Sequence, residues 1–124
     1  MDSIWRIKKR VLEELLEASE NSLPNEFACL LGTIKDRKFV EEFIVPRIEA
    51  SVYSTSIHLQ EIPFDDSIVG SFHSHPSGVP EPSSADKKLF TRYKLNIIVG
   101  RSKEGWRVKA FNKNSEKIEF QLID

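Results

Sequence analysis

Asp66-Ser67-Ile68-Val69-Gly70-Ser71-Phe72-His73-Ser74-His75-Pro76 is the stretch on which the reading of this chain turns. Its middle is short, apolar and β-branched, the composition of a strand running out of a buried sheet. Extended backbone sends every second side chain to one face, so His73 and His75 project together with α-carbons about 6.5–7 Å apart. One metal ion can be held between two imidazoles so placed. Downstream, Gly78, Pro80 and Pro82 break the chain into a loop. Ser83-Ser84-Ala85-Asp86 then opens a segment in which Leu89, Phe90 and Tyr93 recur at helical spacing. Ser83 reads as the N-cap, which puts Asp86 at the third helical position, where a capping box ordinarily carries Glu or Gln. Asp is shorter and less suited to that task, so its carboxylate is expected to turn towards the histidines instead. Three protein ligands and an open fourth position form the arrangement of a catalytic zinc site.

Either half of this pattern has an ordinary explanation. A His pair at i, i+2 on a strand is commonly surface or core decoration, and Ser-x-x-Asp before an apolar helix is commonly only a cap. The conjunction of the two across a Pro/Gly loop points to a metal. Other zinc patterns are absent: there is no His-Glu-x-x-His, and the single cysteine, Cys29, excludes paired-cysteine ligand sets.

The segment from His73 to Asp86 resembles the metal motif of the JAMM (MPN-plus) metalloproteases: His-x-His-Pro, then Ser-x-x-Asp, with ten residues between the second His and the Asp. That family cleaves isopeptide bonds joining ubiquitin or ubiquitin-like proteins to lysine. It also requires a glutamate far upstream, at the start of an apolar strand ending in glycine. Pro24-Asn25-Glu26-Phe27-Ala28-Cys29-Leu30-Leu31-Gly32 is similar to that element, although Glu26 alone would read as an exposed charge at a strand's beginning. The resemblance covers nearly the whole chain in element order. It implies one zinc ion held by His73, His75 and Asp86, with Glu26 as general base and proton donor, and with Ser83 helping to stabilise the oxyanion. Zinc in such a site lowers the pKa of its bound water to about 7 and polarises a carbonyl.

Working outward, Ile4, Ile7, Val11, Leu12, Leu15 and Leu16 recur at three- and four-residue spacing behind Asp2-Ser3, which predicts a capped amphipathic helix ending near Asn21. Strands are expected over Glu26–Gly32, Lys38–Val45 with a turn around Asp36-Arg37, and Ser54–Leu59 before the break at Pro63. Further expectations are Val69–His75 as the ligand strand, Ser83–Lys94 as the second helix, and Leu95–Gly100 and Trp106–Phe111 as strands. Glu116–Leu122 should close a hairpin. Two helices and about seven strands indicate an α/β protein, an α-β-α sandwich around a curved mixed sheet. This agrees with the JAMM/MPN fold implied by the resemblance, which is similar to the cytidine deaminase scaffold.

A chain of 124 residues supports one domain and one core. Its net charge of −1 and lack of a basic, aromatic-interleaved stripe give no footprint for nucleic acid. No apolar run approaches a membrane span, no secretory signal is visible at the N-terminus, and one cysteine cannot form an internal disulfide; a cytoplasmic protein is expected. The abundance of Lys and Glu suits a thermophile. The resemblance further implies a minimal, stand-alone archaeal or bacterial member, a monomer or weak homodimer, too short for the insertions of larger eukaryotic members.

Other residues receive ordinary readings: Cys29 a buried core thiol, His58 structural, Ser74 a hydrogen bonder on the strand face opposite the histidines, and Trp5 and Trp106 core or patch residues. The substrates implied are ubiquitin-like modifiers of the small archaeal modifier type, as in desampylases. Gly-Gly-tailed sulfur-carrier proteins are the neighbouring alternative. A DNA-associated role is suggested by the likeness of Pro76-Ser77-Gly78 and Pro80-Glu81-Pro82-Ser83 to the loop of RadC-like proteins, and an inactive scaffold is disfavoured by the complete motif.

Overall fold

The computed structural model describes residues 4–34, 38–45, 48–50, 55–57 and 66–124, with backbone alone for 48–50 and 55–57. At its centre lie two parallel strands, β7 (Ile68–His75) and β8 (Leu95–Ser102), in register from Gly70 opposite Leu95 to His75 opposite Gly100. Both are buried over nearly their whole length, which is why their sequences read as continuous apolar runs. Parallel neighbours need a crossover, supplied here by the loop after His75 and the helix α2 (Ser84–Phe90). Antiparallel strands complete the sheet on both sides. β9 (Gly105–Phe111) and β10 (Lys117–Ile118) follow β8, while β2 (Ala28–Gly32) and β4 (Glu42–Ile44) follow β7, giving the order β10-β9-β8-β7-β2-β4.

Alternation along the strands divides the interior. Cys29, Leu31, Phe72, Ile97 and Val99 pack with Val11, Leu12 and Leu15 of α1 (Lys9–Ser22) on one face. His73, Ile98 and Phe111 face Phe90 of α2 on the other, with the Phe90 and Phe111 rings 5.8 Å apart. The result is the expected α-β-α layering around a mixed sheet, and it puts the histidines on the α2 side.

Beginning at Ile4, the helix expected from the three- and four-residue spacing is corrected. Residues Trp5–Lys8 form β1, and the helix begins only at Lys9. Trp5 and Ile7 are buried while Ile4 is half exposed. The cause is pairing: β1 is the middle strand of a second sheet, parallel to β11 (Phe120–Ile123) on one side and β3 (Phe39–Val40) on the other. The expected strand Lys38–Val45 is accordingly split at Glu41, β3 joining β1 and β4 joining β2. The hairpin expected over Glu116–Leu122 divides in the same way, since β10 pairs with β9 but Phe120 onward leaves for β1. α2 is shorter than Ser83–Lys94, because Thr91 closes it and Tyr93 N–H bonds back to Phe90 O. Within the expected strand Ser54–Leu59, Thr55–Ile57 is β6, paired antiparallel with β5 (Ile48–Ala50). The Asp2-Ser3 cap, the turn at Asp36-Arg37, His58 and Pro63 lie outside the described residues.

Candidate metal centre

β7 delivers His73 and His75 at its C-terminal end, and α2 delivers Asp86 from its first turn. His73 Nε2 lies 2.8 Å from Asp86 Oδ1, and His75 Nε2 lies 3.3 Å from Asp86 Oδ2. The imidazole centroids are 5.1 Å apart, and one ligand atom from each of the three residues falls within 4.8 Å of the others. His73 is buried and the other two are largely covered.

The expectation that Asp86 is freed from capping is corrected. Ser83 Oγ accepts from Asp86 N–H at 3.1 Å, and Ser83 N–H donates to Asp86 Oδ2 at 2.8 Å, a complete capping box. Asp86 does both tasks because a carboxylate offers two oxygens and about four lone-pair sites. Nor does the cap exhaust Ser83: its hydroxyl accepts from Asp86 and still has its own proton to donate.

Electrostatics follow from this crowding. Burial alone would push the Asp86 carboxyl up, but the contacts with His73 and His75, with help from Ser83 N–H, outweigh it and hold the group well below the usual carboxylate range. His75 is raised above its ordinary value, chiefly by Asp86 and against the opposing effect of burial, with smaller contributions from the Val79 carbonyl and the charge of Glu26. Glu26 is thus electrostatically coupled to the cluster, although it is not among the three grouped ligands. Its segment is pinned by Ser74, which lies between the histidines in sequence: Phe27 N–H donates to Ser74 Oγ at 2.8 Å, and Ser74 N–H donates to Phe27 O at 2.8 Å. Glu26 precedes β2, which starts at Ala28, opposite His73.

His73 Nε2 is the one buried side-chain polar atom, among the described residues, without a hydrogen-bond partner. It lies close to Asp86 Oδ1 but lacks the alignment of a hydrogen bond. An orphaned ring nitrogen facing a carboxylate, beside a second imidazole, is the donor set that a divalent transition metal satisfies.

The matches to known proteins bear on the same residues. Residues 8–112 match the family of prokaryotic homologues of the JAB domain. The chain belongs to the JAMM/MPN family. A relative from Haloferax volcanii described as a probable metalloprotease is 33% identical, the match covering 91% of this chain and 76% of that protein. Two solved structures are similar over almost the whole chain. One is a JAMM protein reported as a metalloprotease-like zinc site in the proteasome and signalosome, with a TM-score of 0.72, 29% identity and coverage of 98% and 100%. The other is a JAB1/MPN domain protein from Archaeoglobus fulgidus, with a TM-score of 0.72, 30% identity and coverage of 96% and 99%. In this JAMM chain His73, His75 and Asp86 form a group able to hold a metal ion.

Cys29 is buried, and burial pushes its thiol far up, which leaves it a core residue. A cavity of about 470 Å³ lined by Ile4, Trp5, Lys38, Lys94 and neighbours shares no residue with the triad. Trp5 is core; Trp106, partly buried, packs against the same core, donates to Glu20 and lies under Arg101. Among the described residues, no helix is long and apolar enough to cross a membrane.

Sequence reasoning missed three supporting groups. His75 Nδ1–H donates to Val79 O at 3.0 Å, a backbone acceptor that no side-chain pattern reveals. Asn96, fully buried, accepts from Ser71 Oγ at 2.6 Å and donates to Tyr93 O at 2.9 Å, fixing the end of the α2 segment to β8. A polar residue between two apolar strand positions was its only signal. Gly100, opposite His75, is the third; an isolated glycine in a strand is a known sign of close backbone approach.

Proposed function

We propose that the protein is a zinc-dependent isopeptidase that releases ubiquitin-like proteins, of the small modifier type with a Gly-Gly tail, from lysine side chains. The observation carrying this reading is the convergence of His73, His75 and Asp86 on one point, with the backbone next to Glu26 tied to Ser74 between the two histidines. Support also comes from the family, and from a relative described as a probable metalloprotease. When bound, zinc would supply Lewis-acid polarisation of a carbonyl oxygen and acidification of a water.

The remaining work falls to this chain's own residues. Glu26 takes a proton from the attacking water as the water oxygen bonds to the isopeptide carbon. It then delivers that proton to the lysine nitrogen as the carbon–nitrogen bond breaks. Ser83 Oγ–H donates to the carbonyl oxygen as its negative charge grows. His73, His75 and Asp86 would hold the zinc. The proposal takes the tail to set the scissile carbonyl's place, where a misplacement of about 1 Å can cost on the order of 10²-fold in rate.

The test is incubation of the zinc-loaded protein with a ubiquitin-like protein joined to lysine through a Gly-Gly tail, with the products read by mass spectrometry. Free modifier and intact lysine partner are expected, with chelators blocking the reaction and thiol alkylation leaving it unchanged. Failure to cleave, or cleavage that survives chelation, would refute the proposal. Cleavage of linear Gly-Gly fusions alone would move the assignment to maturation of sulfur-carrier proteins.

A further inference from the structure

The loop between His75 and α2 is held against the sheet at three points. Pro80 is buried although Ser77, Gly78 and Val79 before it are exposed. Glu81 is ion-paired with Lys109 of β9. Val79 O accepts from His75 Nδ1–H at 3.0 Å. Beneath this loop lies Gly100, the register partner of His75 on β8. A β-carbon placed on Gly100 would come 2.7 Å from Gly78 O, 2.8 Å from Pro80 N and 2.9 Å from Pro80 Cδ. Two of these are backbone atoms and the third belongs to a rigid ring, and they flank Val79, whose carbonyl holds His75.

We infer that Gly100 is a positioning residue for the metal site: the missing side chain is the seat on which the Gly78–Pro80 backbone rests, and that seat aims the Val79 carbonyl at His75. The inference rests on the metal reading given above. A carbonyl can only accept, so its bond to Nδ1 places a proton on that nitrogen; in the neutral ring this leaves the Nε2 lone pair, now turned to Asp86 Oδ2 at 3.3 Å, for the metal. With a methyl group at position 100, the loop backbone must retreat by roughly half an ångström or more to reach ordinary van der Waals separation. A bond of 3.0 Å lengthened by that much passes beyond the ordinary range of about 2.7–3.2 Å and is greatly weakened. The His75 ring then loses the partner that fixes its tautomer and rotation. Loss of such a support typically lowers metal affinity by about 10–100-fold.

The experiment compares wild type with Gly100→Ala by competitive zinc titration and by ¹⁵N chemical shifts of the histidine rings in the metal-free protein at alkaline pH. Expected are a zinc affinity about 10–100-fold weaker in Gly100→Ala and a His75 ring whose proton shifts from Nδ1 towards Nε2, where Asp86 Oδ2 is the competing acceptor. Val99→Ala is the control. Val99, the neighbour of Gly100 on β8, is fully buried on the α1 face, so this variant loses stability without touching the loop and should keep both wild-type readouts. If Gly100→Ala does not fold, Pro80→Gly, which removes the buried ring and leaves Gly100 in place, should shift both readouts in the same direction. Wild-type affinity and an unchanged tautomer in the folded variants would overturn the inference. Absence of zinc binding by the wild type would overturn the metal reading instead, and the tautomer comparison would still decide whether Gly100 seats the loop.

Discussion

Asp86 shows how much one short side chain can do when its surroundings are fixed. Its two oxygens meet two imidazoles and one backbone N–H, and the same residue caps its own helix. The pH behaviour follows from the two titrating partners. The folded Asp86 carboxyl is depressed, so its stabilisation is present above the ordinary value of about 3.9 and is lost as pH falls through the folded value. His75 is raised, so its contribution is complete below about 6.5 and is lost as pH rises through the folded value. Metal-free protein should therefore be most stable between about pH 4 and 6.5 and lose stability above that, while zinc affinity, which needs neutral imidazoles, climbs over the same alkaline range. Melting curves with chelator, set beside zinc titrations across pH, check this, and a flat metal-free profile would contradict it. Glu26 gives a sharper case. Gln in its place keeps shape but cannot take a proton, so turnover should fall about 10²–10⁴-fold with zinc content unchanged. Loss of zinc would mean that Glu26 is a ligand after all. The histidines and Asp86 were legible because strand period and cap position are local rules. Their supports at Val79 O and Gly100 were not, because a backbone carbonyl and an absent side chain leave little in the sequence to read.

At the level of elements, the sequence was most misleading where strand joins helix. Ile4, Ile7 and Val11 step by three and four as a helix does, yet Trp5 and Ile7 also alternate as a strand does, and pairing with β11 and β3 decides between the two periods. Those partners lie far away in the chain, so no window around Ile4 contains the deciding information. The strand assignment has a consequence that a helix would not share. Arg6 N–H donates to Lys38 O at 2.9 Å in the interior of the β11-β1-β3 sheet. In the first turn of a helix, a proline at this position would be tolerated. In a central strand, Arg6→Pro removes a ladder bond and strands an acceptor, a loss of about 1–3 kcal/mol before any steric clash. Urea denaturation should show that loss, and an unchanged midpoint would favour the helix. The long apolar strands β7 and β8 were read almost to their ends, since burial on both faces needs no partner information beyond the run itself.

At the scale of the molecule, the metal centre joins a strand from the middle of the six-stranded sheet to the helix that crosses over it, so occupying it should stabilise the whole fold. Any ligand that binds only the native state adds RT ln(1 + [L]/Kd), about 2.7 kcal/mol at a hundredfold excess over Kd. For a chain of 124 residues this corresponds to a rise in melting temperature on the order of 10 °C. The ion must displace the direct imidazole–carboxylate contacts already present, and the measured Kd includes that cost. Differential scanning fluorimetry with and without zinc should therefore show a rise near this size in the wild type. Glu26→Gln should keep it, because the charge that it removes lies outside the ligand group. His75→Ala should lose it, because two ligands hold zinc poorly and the loop's bond to the ring disappears with the ring. A zinc-induced rise in His75→Ala equal to that of the wild type would show that the stabilising ion sits somewhere other than between His73, His75 and Asp86.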